Sequence, residues 1–322
     1  MRALSVAKST ALEGLQSPVA LLLTLACVEL TALQPLLQLH TFGDSVRLAR
    51  DCGLAFLLFS GVLVCASTSG CTLAADLRSG IAATALAKPI RRFDYLIGKW
   101  LGSCAVAAVF AWNALWSTIL ACRTAEAYVE TTRSAGEMRD LLCGTVSVSL
   151  PLLALAFAAL FHAWRARRFA LSFFTALSLL QPLASLALLG WFARDGSPAL
   201  HWNPAIDPDL FPAGFFLFLL LLIFCAVSTS LSVRLQTAPA AALSFFLLLS
   251  GFLADRFASA GTFGTCIAAF LPNVQEFWLA DRFADGFACS PERLLLTTLY
   301  TLFYSSAVLS IGLLLFRNRD IQ

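Results

Sequence analysis

Seven stretches of this chain run for about 20 residues or more without an Asp, Glu, Lys or Arg: 52–73, 100–122, 141–164, 169–193, 210–233, 235–254 and 294–316. An eighth, 18–39, is interrupted only by Glu29. A helix of that length crosses a hydrocarbon core of roughly 30 Å, and a helix satisfies its own backbone where no water can. The expected fold is therefore all-α, a polytopic transmembrane helical bundle of about eight spans. Composition agrees: 59% of residues are hydrophobic, only 13% are charged, and the mean hydropathy is +0.81, values that exclude an ordinary soluble domain.

The whole chain, 1–322, reads as a single membrane domain with spans at about 18–39, 52–73, 98–122, 141–164, 169–193, 210–233, 235–254 and 294–316. Residues 1–17 are expected to form an interfacial helix, because Leu4, Ala7, Ala11 and Leu15 share one helical face while Lys8, Ser9 and Glu13 lie elsewhere. The run at 18–39 is too long for the apolar core of a cleavable signal. The longest connection, 255–293, contains an apolar piece, 257–274, broken by Gly261, Gly264 and Pro272, which suits a re-entrant or interfacial segment better than a span.

Charge sets the expected orientation. With eight spans, one side of the membrane holds both termini and the loops near 74–99, 165–168 and 234, with 13 Lys/Arg against 4 Asp/Glu. The other side holds 9 against 14. Basic loops face the cytoplasm, so both termini are expected there.

The ten cysteines include no CxxC pair and mostly fall in or near apolar runs, where a thiol acts as a small hydrophobe. Cys266 and Cys289 share the last outside loop and could pair in an oxidising compartment. His201, Asp207 and Asp209 share another loop without a spacing that singles out a metal, and no metal site is assigned. Tryptophans gather near span ends, as interfacial anchors do. Glu29, near the middle of the first span, is costly at that depth and is the intramembrane polar candidate: a substrate contact, a proton site or a polar lock between helices.

The loop at 74–97 carries the most chemistry. Asp76 begins it, and Leu77, Ile81 and Ala85 at helical spacing give a short helix with a modest apolar face. Pro89 stops that helix. Arg91 and Arg92 follow, and Asp94 suits the first turn of the next span. On charge alone, this could be a basic loop that fixes topology and touches anionic headgroups.

The order Asp76, Gly80, Pro89, Arg91 or Arg92, Tyr95 and Gly98-Lys99, followed by Trp100-Leu-Gly102, resembles the cytoplasmic coupling loop of ABC-2-type transporter permeases. Two other stretches are similar to the same family, which includes the copper-maturation permease of nitrous oxide reductase. Lys8-Ser-Thr10, Glu13 and Ser17-Pro18 match its N-terminal elbow helix. Leu271-Pro-Asn-Val-Gln-Glu-Phe277 and Phe316-Arg-Asn-Arg-Asp320 match its closing part. The chain departs from the family in two ways: Asp76 stands where Glu is usual, and 141–193 reads as a helical hairpin beyond the usual six spans.

The resemblance implies a permease, expected to export, driven by a separate ATP-binding cassette ATPase and paired with a second copy or a related permease. Asp76, Gly80, Pro89, Arg91, Arg92, Tyr95 and Lys99 would couple it to the ATPase. It would lie in the inner (cytoplasmic) membrane, its bilayer lipids its other partner. The sequence has no GxxxxGK[ST] loop, so ATP and Mg are expected in the partner, with no cofactor and no catalytic residue in this chain. Nothing in the sequence points to nucleic acid. Three other readings remain: an ATP-independent secondary transporter or channel, a membrane-embedded enzyme, and an ATP-driven complex that works on envelope proteins.

Overall fold

A computed structural model describes residues 2–38, 44–82, 91–125, 127–130, 135–138, 140–165, 168–193, 197–198, 207–259, 264–265, 270–279 and 290–317. Helix α1 (Arg2–Leu15) leads into α2 (Pro18–Leu37), α3 (Ser45–Ser69), a π-helical turn (Gly70–Ala74) and α4 (Ala75–Arg78). Then come α5 (Arg92–Thr124), a short ribbon of β1 (Ala127–Glu130) and β2 (Ala135–Met138), and the hairpin of α6 (Leu141–Arg165) and α7 (Phe169–Trp191). The chain continues through α8 (Leu210–Ser232), α9 (Thr237–Phe252), α10 (Ala254–Ala258) and α11 (Pro291–Arg317).

The caps match the sequence. Ser17 Oγ accepts from Ala20 N at 3.1 Å, and Pro18 takes the first helical position, where no N–H is needed. Among the described residues, seven helices are long and apolar enough to span a membrane: α2, the continuous rod Ser45–Arg78, α5, α6, α7, α8 and α11. The protein is thus a multi-pass helical membrane protein. The expectation of about eight spans meets these seven and one shorter apolar helix. At 16 residues α9 is about 24 Å long, short of the roughly 30 Å hydrocarbon core. It stops because the chain folds back on it. Gly251 packs on the Pro272 carbonyl and the Val274 side chain, and Gln275 donates to the Phe252 carbonyl at 2.8 Å.

At the centre stand α3, α5 and α8. Helices α3 and α8 run parallel and in register: Gly61 meets Leu221, the Cys65 and Cys225 sulfurs lie 3.3 Å apart, and the Ser69 and Thr229 hydroxyls are 3.2 Å apart. These are successive steps of four residues on both helices, so one stripe of each faces the other. Around this core, α2 packs on α3 and α5, α9 on α3, and α11 chiefly on α8. The α6–α7 hairpin covers α2 and α5. Pro182 in α7 leaves the Ser178 carbonyl without its helical donor, and Trp112 of α5 supplies one from its indole N–H at 3.2 Å.

Helix α1 packs on the bundle through a stripe of small residues. Ala7 is buried, but Leu4 is 71% exposed, and the packed stripe is Ala3, Val6, Ala7, Thr10 and Gly14. Small side chains win there because α1 crosses α5 at Gly98 and Gly102. A Cβ on Gly98 would lie 2.8 Å from the Ala3 carbonyl oxygen, and one on Gly102 would lie 2.8 Å from that of Ala7. This is the close backbone approach that a Gly-x-x-x-Gly stripe permits.

Candidate functional site

One end of the bundle gathers the start of α5, the end of the α3–α4 rod, α1 and the last turn of α11. Its centre is Lys99, only 3% exposed despite its charge. Gly98, its neighbour, admits α1, and the helical step turns Lys99 toward the rod. Its ammonium lies 2.7 Å from Asp76 Oδ2 and 3.6 Å from Glu13 Oε2, and it donates to the Thr72 carbonyl at 3.3 Å. The Tyr95 hydroxyl donates to the same Asp76 Oδ2 at 2.7 Å. The ammonium also sits 5.7 Å from the centre of the Tyr95 ring. A buried charge is tolerated only when paired and hydrogen-bonded, and Lys99 has both kinds of partner.

Because Asp76 belongs to α4, Thr72 to the π turn, Glu13 to α1 and Lys99 to α5, this single ammonium joins three segments distant in sequence. The π turn is a rare wide turn in a helix, often found at functional places. Here Gly70 begins it, with the Thr237 side chain of α9 filling the space a Cβ would need.

A second junction ties α5 to α11. Arg92 Nη1 donates to the Phe316 carbonyl at 3.1 Å and the Arg317 carbonyl at 2.8 Å, satisfying the end of α11. The guanidinium lies 5.8 Å from the Phe316 ring centre, and Phe316 stacks on Tyr95 at 6.2 Å. Beneath them Leu73, Leu77, Ala82, Leu96 and Val233 form an apolar layer.

Of the residues singled out in the sequence, Asp76, Tyr95 and Lys99 converge in one cluster, with Arg92 beside it. Gly80 has φ +74 with nothing within 4 Å of where a Cβ would be, so it serves the turn after α4 by conformation alone. Arg91 precedes α5 and is exposed. Pro89 lies outside the described residues, as do Cys266, Cys289 and His201. Glu29 stands apart in α2. It is half-buried, and its Oε1 is shielded from solvent without a hydrogen-bond partner among the described residues.

The sequence did not mark the contacts of Thr72 and Phe316, whose main signals were nearness to Gly70 and to the end of the last apolar run. Nor did it mark the ion pair at the opposite end. There Arg123 Nε donates to Asp140 Oδ2 at 3.0 Å and Arg123 Nη2 to the Phe192 carbonyl at 2.9 Å. Asp140 Oδ1 caps α6 by accepting from Cys143 N at 2.9 Å. That clamp holds the hairpin to α5.

Fold and site define a helical membrane protein with a buried ionic junction at one end. No family model, curated protein or solved structure matches this chain.

Proposed function

We propose that the chain is the membrane-spanning permease of an ATP-binding cassette exporter, with both termini in the cytoplasm of a cell whose inner membrane it spans. The observation that carries this reading is the Lys99 junction. A soluble ATPase docking on the loop around Gly80 and Arg91 would push on α4. Asp76 would pass that push to Lys99 in α5 and, through Glu13, to α1. Through the π turn, α4 is continuous with α3, which is registered against α8, so one displacement would reach the centre of the bundle. Such an element would have two arrangements, which a nucleotide bound by the partner would bias. The partner would supply ATP and Mg, and a second permease would complete the pathway. Glu29, whose Oε1 has no hydrogen-bond partner among the described residues, is the candidate for contact with cargo.

The test is recovery of an ATPase by the tagged protein in detergent. Arg91→Glu is the informative variant, since Arg91 is exposed. Arg92 also closes the end of α11, so Arg92→Glu would disturb packing. We expect wild type to retain a Walker-motif ATPase and Arg91→Glu to lose it by about tenfold or more, as reversing a docking charge does. Equal recovery would discard Arg91 as a docking residue. No ATPase from intact protein would favour a secondary transporter or channel.

A further inference from the structure

Helix α11 leans on α8, where Gly312 meets Ser230 and Ser230 Oγ donates to the Val308 carbonyl at 3.0 Å. It touches α5 far less, and the gap leaves a cavity of about 530 Å³ between α5 and α11. On one wall stand Phe93, Leu96 and Trp100, a single face of α5; on the other stand Leu302, Ser306 and Leu313 of α11. Trp100 closes the back by donating its indole N–H to the Leu222 carbonyl at 3.4 Å. The lining of α11 extends from Leu299 to Leu313, about 21 Å along a helix, which is a little more than one leaflet of the hydrocarbon core. Leu302 and Phe303 are exposed, so the cavity opens sideways.

Its end is charged. Phe93, the outermost lining residue of α5, follows Arg92, whose Nη1 holds the α11 carbonyls, and among the described residues the other edge of the exposed guanidinium is left for an anion. Arg317 is exposed at the same junction. The one described carboxylate in the first turn of α5 is Asp94, which does not line the cavity.

We propose that this cavity binds an anionic phospholipid, one acyl chain between α5 and α11 and the phosphate on Arg92 and Arg317. Guanidinium matches phosphate in shape and charge, and the apolar slot has the depth of a leaflet. A second copy is a poorer occupant of this face. Copies related by a twofold axis along the membrane normal would bring Arg92 and Arg317 against Arg92 and Arg317. The other half of the bundle supplies an internal control. A cavity of about 700 Å³ lined by Trp112, Phe211, Phe215, Pro291 and Leu294 also adjoins α5 and α11; neither cavity has a charged lining residue, but this one lies about five turns along α5 from Arg92.

The test is photo-crosslinking of the purified full chain, in detergent micelles carrying phosphatidylglycerol or phosphatidylcholine with a diazirine on one acyl chain, mapped by mass spectrometry. Phosphatidylglycerol should label the Phe93–Trp100 and Leu302–Leu313 walls about fivefold or more above phosphatidylcholine, the scale expected of one or two basic groups at a membrane surface. The Arg92→Gln/Arg317→Gln protein should lose that preference, while labelling around Trp112 stays equal for both lipids and reports that the bundle is intact. Ser306→Trp, or Leu302→Trp if the first fails to fold, should abolish labelling of the walls with either lipid. Equal labelling by the two lipids in wild type, or labelling that survives both blocking variants, would overturn the proposal and leave only annular lipid. No ATPase is present, so the result is independent of the pull-down above.

Discussion

At Lys99 the cost of burying an ammonium is met by the Asp76 carboxylate, and each partner needs the other more than the fold needs either. Removing one side of a buried pair costs about 3–5 kcal/mol because the other charge is stranded, whereas replacing both is far cheaper. Lys99→Met should therefore destabilise the protein by about 3 kcal/mol, and Asp76→Asn by somewhat less because Asp76 is 16% exposed. The Lys99→Met/Asp76→Asn double variant should recover more than half of the loss, measured by thermal unfolding in detergent. Additive losses would show that the two groups act separately. The sequence marked Asp76, Tyr95 and Lys99 as members of one motif, but not that one carboxylate oxygen serves both others. That meeting depends on how the chain leaves α4 at Gly80, which residue spacing does not encode. The shortness of Asp76 has a reason here: with both partners at 2.7 Å, a Glu would have an extra methylene to place.

Among the elements, spans were the most legible because an uncharged run of 20 residues in lipid has one good solution. Their ends were less so. The run 235–254 is uncharged throughout, yet α9 holds only Thr237–Phe252, since Gly251 receives the returning Pro272–Val274 segment. Periodicity grouped Leu4, Ala7, Ala11 and Leu15 on one face suited to a membrane surface, but did not show which stripe of α1 meets the protein. Gly98 and Gly102 reward small residues more than large ones, so Leu4 faces outward and Ala3, Ala7 and Thr10 pack. Gly102→Leu should force α1 off α5, with an overpacking cost of about 1–3 kcal/mol. It should also separate Glu13 from Lys99. Spin labels at Ser9 and Ala105 would report the change as a longer and broader distance distribution than in wild type. An unchanged distribution would mean that α1 is held by other contacts.

For the whole molecule, the decisive matter is which end meets the cytoplasm, because the Lys99 junction can answer to a soluble ATPase only from there. The two ends differ chemically. One has Arg91, Arg92, Arg168, Arg234 and Arg317 at helix boundaries; the other has the internally neutralised Arg123–Asp140 pair and the Arg293–Glu276 pair at 3.0 Å. Arginine beside a span resists crossing the membrane, so the arginine-rich first end should remain inside. In a variant whose ten cysteines are replaced, single cysteines at Lys8 and Arg91 should react with a membrane-impermeant maleimide only after cells are permeabilised. A cysteine at Asp207 or Gln275 should react in intact cells. Helix α9 makes this more than a formality. If its 24 Å or so crosses the bilayer, α11 returns its Arg317 end to the side of Lys8; if it does not, the two would part. The Arg92 bonds to the α11 carbonyls already hold Arg317 beside the start of α5, so a cysteine at Arg317 should label with Lys8 and Arg91. Labelling of Arg91 in intact cells would turn the junction outward, away from ATP, and end the coupling proposal.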